Sequence, residues 1–279
     1  MEREIEWLEA CRRMAARQAD LFAATRGIAE RTEYEGRGEG GDMTLKLDRQ
    51  CEDIVFDELE KLAEDGVAMS AVSEERGEVS LGSGDPVHRV VIDPIDGSMN
   101  VRRTIPSHSL SVAVADGDSM EDVHFGFVHD FGAGEDFWAT RGGGAHLGDG
   151  RIAPPQPDMP LEVVGLESSD PRWILGAIEE LRGEAYRIRS IGSIAITLSY
   201  VASGRFDGML SARGCRSVDA AAAQLIVREA GCEMVFVGFE LGTAALDLET
   251  RYPVVAARSA EHLETVLAAQ EAGVSRQSA

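Results

Sequence analysis

The spacing of apolar and polar residues predicts a chain that mixes helices with short strands. Apolar residues recur at helical spacing in residues 4–29, 48–62, 174–181, 193–202, 219–230 and 260–272. Short apolar or alternating runs predict strands at residues 67–72, 89–92, 110–115, 123–128, 137–139, 163–166, 186–188, 208–210 and 254–256. Strands dominate the first half and alternate with helices in the second. We therefore expect an α/β protein in which an α+β half precedes a layered α/β half.

A change in composition marks the expected boundary between these halves. Residues 153–160 are rich in proline and lack periodicity. We therefore predict an N-terminal α+β domain over residues 1–155 and a C-terminal α/β domain over residues 156–279. A glycine-rich, charged segment at residues 36–41 predicts a loop.

The charge balance excludes some partners. The chain has 49 acidic residues against 27 Lys and Arg, for a formal charge of -22. Long-range repulsion opposes a nucleic-acid backbone or an anionic membrane as partner. The acidic residues are dispersed, and the only lysines are Lys46 and Lys61. This pattern favours a protein adapted to a salt-rich cytoplasm over an acidic protein of ordinary habitat, because counterions screen self-repulsion.

No targeting or redox signal stands out. The first residues lack a basic-then-apolar signal pattern, and no apolar run is long enough to span a bilayer. The four cysteines show no C-x-x-C spacing, so neither a zinc site nor a redox pair is indicated. We expect a cytoplasmic protein with reduced thiols.

The run 93–98 carries the clearest chemical signal. It reads Asp-Pro-Ile-Asp-Gly-Ser directly after an apolar strand. Two carboxylates three residues apart at a strand end can converge on one hard cation, and Mg²⁺ prefers oxygen ligands. Gly97 allows close backbone approach, and the N–H groups of Gly97 and Ser98 can face an anion. The alternative is an acidic turn. A calcium loop needs ligands at alternating positions, and an aspartyl-phosphate enzyme needs Asp-x-Asp, so neither fits.

Two further carboxylates become candidate metal ligands only when they are considered together with this run. Glu74 follows a short apolar run, and Asp219 opens an alanine-rich helix. Taken alone, Glu74 reads as a surface residue and Asp219 as a helix cap.

Together these segments resemble the inositol monophosphatase and fructose-bisphosphatase superfamily. The likeness rests on Ser-Glu-Glu at 73–75, Asp-Pro-Ile-Asp-Gly-Ser-Met-Asn at 93–100 and Ser-Val-Asp-Ala-Ala-Ala-Ala at 217–223. Residues 41–48 and 189–193 resemble two further family segments, and the likeness spans residues 10–258. It is greatest to archaeal members that act on both inositol phosphate and fructose 1,6-bisphosphate. The resemblance implies a layered αβαβα sugar-phosphatase fold, a homodimer, and hydrolysis of a phosphorylated polyol or sugar with water as nucleophile.

The resemblance also implies a role for each matching residue. Glu74, Asp93 and the carbonyl of Ile95 would hold one Mg²⁺, and Asp93, Asp96 and Asp219 a second. Asp48 and Ser98 would orient the attacking water. Gly97, Ser98, Ser193 and Asp219 would contact substrate. Arg213 is predicted to do so as well, from its position near Asp219 and not from the resemblance. Glu75 would bind a third metal or only balance charge.

The sequence departs from the family where the substrate ring is recognised. Ala212 replaces a Glu that grips ring hydroxyls in animal inositol monophosphatases, which weakens strict inositol specificity. Arginines near the expected substrate end are candidates for a second phosphate, namely Arg187, Arg189, Arg213 and Arg216.

Two rival functions remain. A 3′-phosphoadenosine 5′-phosphate phosphatase of the same superfamily would be favoured by an aromatic residue that stacks on the base, and none is evident around residues 212–216. A non-catalytic binding protein on this fold would lack a metal ligand or the hydroxyl that positions water. This chain contains all the expected ligands and the hydroxyl, which disfavours that function.

Overall fold

The computed structural model describes residues 2–37, 43–156, 159–168 and 170–275. Within these residues the helices are α1 (Glu2–Ala24), α2 (Ile28–Arg31), α3 (Lys46–Glu64), α4 (Ser98–Arg102), α5 (Pro171–Glu180), α6 (Ile194–Ala202), α7 (Ser217–Glu229) and α8 (Ala260–Ser275). The strands are β1 (Tyr34–Arg37), β2 (Met43–Leu45), β3 (Met69–Ser73), β4 (Gly77–Leu81), β5 (His88–Asp96), β6 (Ser109–Ala115), β7 (Val123–Asp130), β8 (Glu135–Thr140), β9 (Gly144–Leu147), β10 (Gly150–Arg151), β11 (Val163–Glu167), β12 (Arg187–Arg189), β13 (Gly208–Ser211), β14 (Glu233–Phe236) and β15 (Val254–Ala257).

A large sheet carries the strand order β10-β9-β8-β7-β6-β5-β3-β4. Its neighbours are antiparallel except β3 and β5, which run parallel, with Ser73 opposite Ile92. Parallel strands bring their carboxyl ends to the same edge of a sheet. Glu74 and Asp93, the next residue on each strand, are thereby placed side by side.

Both faces of this sheet are covered by helices. Along β6, Leu110 and Val112 pack with α1 and α3, while Ala113 and Ala115 face the opposite core, to which α6 and α7 contribute. This alternation follows from the two-residue period of a strand. Small residues let α7 approach closely, since a Cβ on Gly126 would lie 2.5 Å from the carbonyl oxygen of Ala222.

A smaller sheet completes the layers. Its order is β12-β11-β13-β15-β14, with β11 parallel to both β12 and β13 and the other pairs antiparallel. Helices α6 and α7 lie between the two sheets, and α5 and α8 cover the outer face of the small sheet. The layers therefore run α, β, α, β, α, which confirms the expected fold class.

Local details differ from the sequence predictions. The helix predicted over residues 4–29 ends at Ala24, and α2 is separate. The amide and hydroxyl of Thr25 both donate to the Leu21 carbonyl, and Gly27 is extended where it precedes α2. Strands β4, β9 and β14 were not predicted, because they are short and only partly buried. Most of the loop predicted at residues 36–41 lies outside the described residues. No described helix combines the length and apolarity needed to cross a bilayer.

Candidate active site

A bulge in β5 brings two carboxylates to the same face. Asp93 pairs with Ser111 of β6 and Asp96 with Ser109, so three steps along β5 oppose two along β6. Strict alternation would place residues three apart on opposite faces, and the extra residue of a bulge reverses that. Carboxylate oxygens of Asp93, Asp96 and Asp219 all lie within 4.8 Å of one another.

Asp219 reaches this cluster from the first turn of α7. Its Oδ2 accepts a hydrogen bond from the backbone N–H of Arg216 at 2.7 Å, which caps the helix. An acidic side chain in the first turn also interacts favourably with the helix dipole. The sequence placed Asp219 at the N-cap of a helix that begins there, which is wrong by one turn: α7 begins at Ser217, Arg216 is the N-cap, and Asp219 reaches back to it from the third helical position. Its role as a metal ligand stays a prediction.

Hydrogen bonds fix the two β5 carboxylates. Asp93 accepts from the backbone N–H of Ile95 at 2.9 Å. Asp96 accepts from the Ser193 hydroxyl at 2.6 Å and from the backbone N–H of Ala195 at 2.7 Å. Because Ser193 also accepts from the amide of Ile196 at the start of α6, one hydroxyl links Asp96 to the middle helix layer.

Burial makes the three negative charges costly. Burial, followed by the charges of Asp96 and Asp219, raises the pKa of Asp93 well above its ordinary value. Burial and then Asp219 raise the pKa of Asp96 to about 8. Burial also raises the pKa of Asp219. A divalent cation would remove this repulsion, and an all-oxygen donor set fits Mg²⁺.

The cluster opens into a cavity of about 380 Å³. Seven residues predicted for the site line it: Glu74, Asp93, Ile95, Asp96, Gly97, Ser98 and Asp219. Gly97 has a φ of 95°, and a Cβ there would lie 3.0 Å from the carbonyl oxygens of Gly192 and Ser107. The turn between β5 and α4 therefore requires glycine at this position.

The other predicted residues lie away from the lining of this cavity. Ser193 is 1% exposed, and its hydroxyl donates a hydrogen bond to Asp96. Arg213 is exposed and stacks over the Trp173 ring at 4.1 Å. Asp48 lies in the first turn of α3, and its Oδ1 has no hydrogen-bond partner in the described structure. Burial, and then the charge of Glu75, raise the pKa of Asp48 to about 6.

Two arginines also line the cavity. Arg216 forms an ion pair with Glu74, and the sequence had offered it only as one of several candidates. Arg251 was not predicted, because no motif surrounds it. Cys215 and Tyr252 exchange backbone hydrogen bonds at 2.8 and 2.9 Å, and this bridge brings Arg251 beside Gly214. Only the folded chain supplies that proximity.

An αβαβα chain with buried carboxylates at the end of a central strand has the features of a metal-dependent phosphomonoesterase. The comparison with known proteins is more specific. The chain belongs to the inositol monophosphatase family, whose family model matches residues 6–275. It is therefore a phosphoric monoester hydrolase of a metal-dependent family that acts on phosphorylated sugars or polyols.

Individual relatives support this assignment. The chain is 33% identical over 243 residues to a fructose-1,6-bisphosphatase/inositol-1-monophosphatase of Methanothermobacter thermautotrophicus, covering 81% of this chain and 82% of that protein. It is 31% identical over 229 residues to the Thermococcus kodakarensis protein of the same name, covering 82% and 83%. A solved inositol monophosphatase-fructose 1,6 bisphosphatase superposes with a TM-score of 0.80 at 26% identity, covering 94% and 99%.

Proposed function

We propose that this protein is a Mg²⁺-dependent phosphomonoesterase that hydrolyses inositol monophosphate, fructose 1,6-bisphosphate or both. The observation that carries the proposal is the cluster formed by Asp93, Asp96 and Asp219, whose oxygens lie within 4.8 Å of one another beside an open cavity. The names of the two relatives combine both activities and support this pair of substrates.

The proposed metal ligands divide into two sets that share one residue. Glu74, Asp93 and the carbonyl of Ile95 hold one ion, and Asp93, Asp96 and Asp219 hold the second. Two ions in such a site lower the pKa of a bound water and stabilise the leaving oxygen. Support comes from the lining of the cavity, which contains all five residues.

Other residues of the chain orient water and phosphate. Ser98 is exposed at the cavity, and we assign its hydroxyl, with Asp48, to the attacking water. The raised pKa of Asp48, about 6, suits a group that exchanges a proton near neutral pH. The backbone N–H groups of Gly97 and Ser98 are proposed to face the phosphate. Glu75, which is half-buried, either binds a third ion or balances charge.

Arginine selects the second phosphate of a bisphosphate in this proposal. Arg216 and Arg251 line the cavity, whereas the predicted Arg213 stacks on Trp173. Coordination of a metal by Glu74 would weaken its ion pair with Arg216, so that the guanidinium could turn toward an anion in the cavity. A guanidinium can then make a bidentate contact with phosphate.

The rival substrate, 3′-phosphoadenosine 5′-phosphate, has less support. An adenine ring is commonly held by a stacking aromatic side chain. Among the described residues, those that line the cavity include no aromatic side chain. A non-catalytic role has less support still, since the hydroxyl of Ser98 and the carboxylates are all present.

The test is phosphate release from fructose 1,6-bisphosphate, inositol 1-phosphate and 3′-phosphoadenosine 5′-phosphate, with Mg²⁺ or with EDTA. We expect Mg²⁺-dependent turnover of either or both of the first two substrates. The control variant is Asp118→Asn, an exposed carboxylate beyond the opposite end of β6. A folded, Mg²⁺-binding protein that releases no phosphate from any of the three would refute the substrate assignment.

We also propose a homodimer and adaptation to high salt. Exposed apolar side chains on α5 and before β12 support an interface, with Leu175 at 59% and Tyr186 at 69% exposure. Light scattering after gel filtration measures the oligomeric state.

The net charge of -22 supports salt adaptation, and urea unfolding at low and molar KCl tests it. The division into domains at residues 155 and 156 stays a prediction, which limited proteolysis can test.

A further inference from the structure

A second cavity, of about 320 Å³, lies between the end of α1 and the loop that leads into β6. Its walls come from the last turns of α1, from Arg31 of α2, from the loop that leads into β6 and from Phe131 after β7. It shares no lining residue with the active-site cavity among the described residues. Most of the wall is apolar. The exposed side chains of Arg26 and Thr104 also line it, and two buried polar side chains interrupt it.

The first of these is Arg31, which is 9% exposed. Its guanidinium donates to the backbone carbonyls of Thr25 at 2.6 Å, Phe22 at 3.0 Å and Val101 at 3.3 Å. A guanidinium has five N–H groups, so two remain without an acceptor in the described structure. No described carboxylate forms an ion pair with it, although buried charges are normally paired. The cation therefore lacks a counter-charge where it meets the cavity.

The second is His108, which is 6% exposed. Its ring packs against Phe22 at a centroid distance of 4.7 Å and stacks on Phe131 at 5.3 Å. The backbone of Ile105 lies close enough to favour the protonated ring, but its geometry is too poor for a hydrogen bond, so neither ring nitrogen has a well-formed partner in the described residues. Burial and then the charge of Arg31 lower the pKa of His108 to about 4. The neutral ring offers one donor and one acceptor, and buried groups of this kind are rarely left unbonded.

We propose that this cavity binds a small organic carboxylate that carries an apolar ring. The two remaining N–H groups of Arg31 match the two oxygens of one carboxylate. Arg31 is the buried cation among the described lining residues, whereas Arg26 also lines the cavity but is exposed and donates from Nε to the Ala23 carbonyl. A phosphate monoester carries more charge than the one buried guanidinium of the described lining balances. Phe22, Phe131 and the apolar loop residues hold the ring, and His108 provides a further hydrogen bond. A volume of about 320 Å³ is at the small end for ligand sites, so one ring is the expected size.

The position of the site connects it to the active-site turn. Arg31 donates to Val101, within α4. The Cα of His108 lies 3.4 Å from the place where a Cβ on Gly97 would stand. The bound carboxylate would thus lie against the segment that carries Ser98.

The test is calorimetric titration of benzoate into the metal-free protein in EDTA, where no bound metal offers an alternative ligand. The neutral analogue is benzyl alcohol. Ala23→Trp fills the cavity without removing a polar group, and His108→Phe keeps an aromatic ring but removes both ring nitrogens. The matched control is Ala16→Trp, an exposed position of the same helix that does not line the cavity.

We expect one benzoate per chain in the wild type. Ala23→Trp, His108→Phe and the neutral analogue should each weaken binding by about tenfold or more, and Ala16→Trp by less than about twofold. Circular dichroism establishes that each variant is folded. Absence of benzoate binding at about 10 mM, or equal binding by Ala23→Trp, would overturn the proposal. Equal affinity for benzyl alcohol would also overturn it, since the cavity would then not select an anion.

Discussion

The chain has two buried acidic regions, and the pKa values of their carboxylates are shifted in opposite directions. Glu58 of α3 is 1% exposed and accepts hydrogen bonds from Arg13, Arg17 and Lys61 at 2.8, 3.1 and 2.6 Å. Burial acts to raise its pKa, but the hydrogen bonds from Lys61 and Arg13 outweigh burial and lower it.

The active-site cluster is compensated less. Its carboxylates accept hydrogen bonds from backbone N–H groups and from the Ser193 hydroxyl. The charges of Arg216 and Arg251 lower the pKa of Asp219 but do not outweigh burial, and all three pKa values are raised. The chain thus neutralises a structural carboxylate with its own cations. At the site its own cations do not offset burial, which fits the proposal that these carboxylates bind a divalent ion.

The largest expected effect comes from Asp93→Asn. Phosphate release should fall by about 10³-fold, because both proposed metal positions lose a shared ligand. In EDTA the free energy of unfolding should stay the same or rise, since the substitution removes repulsion and Asn can still accept from Ile95. Kinetics and urea unfolding measure the two effects. Activity close to wild type would contradict the metal assignment, and Asp118→Asn is the control.

The pH dependence of the metal-free protein gives the next largest effect. The pKa of Asp96 is raised in the folded state to about 8, from about 4 in an unfolded chain, so the folded state holds more protons in this window. The free energy of unfolding in EDTA should therefore fall as pH rises from 5 to 8, by on the order of 3 kcal/mol. Saturating Mg²⁺ should reduce this slope. Stability that rises with pH in EDTA would show that the carboxylates are compensated internally.

Glu58→Gln tests the other region of the comparison. It leaves three cations around a neutral amide, and their partial exposure moderates the loss to about 1–2 kcal/mol of unfolding free energy. Catalytic activity should remain within about twofold of wild type, since Glu58 does not line the active-site cavity. Urea unfolding measures the loss, and Glu60→Gln on the exposed face of α3 is the control. Equal losses in both variants would show that the Glu58 cluster contributes nothing specific.

Ser193→Ala has the smallest expected effect on stability. The hydroxyl caps α6 and donates to Asp96, so its removal should cost about 1 kcal/mol of unfolding free energy and lower phosphate release. Ser203→Ala, at the other end of α6, is the matched control, because its hydroxyl bonds only to the Tyr200 carbonyl. If both variants keep full activity, Ser193 does not position Asp96. A direct role in substrate binding predicts instead a rise in KM at unchanged kcat.

Short-range patterns in the sequence were sufficient for the class of fold and for the acidic run at 93–98. The apolar periodicity predicted most helices and central strands, because burial imposes it locally. The edge strand β4 was not predicted, since two of its five residues are exposed and none is fully buried, so it lacks a clear apolar pattern. The break between α1 and α2 after Ala24 was also not predicted, because apolar residues continue at helical spacing across it.

The sequence by itself determined which carboxylates exist, which strands and helix carry them, and the family they indicate. The ends of those elements were predicted only roughly, since β5 continues to Asp96 and α7 begins at Ser217. The tertiary structure decided which side chains meet. The β5 bulge turns Asp93 and Asp96 to one face, and the parallel register of β3 with β5 places Glu74 beside them. The bridge between Cys215 and Tyr252 places Arg251 at the cavity. Local periodicity records burial, whereas contacts between distant segments depend on register and packing, which no local pattern encodes.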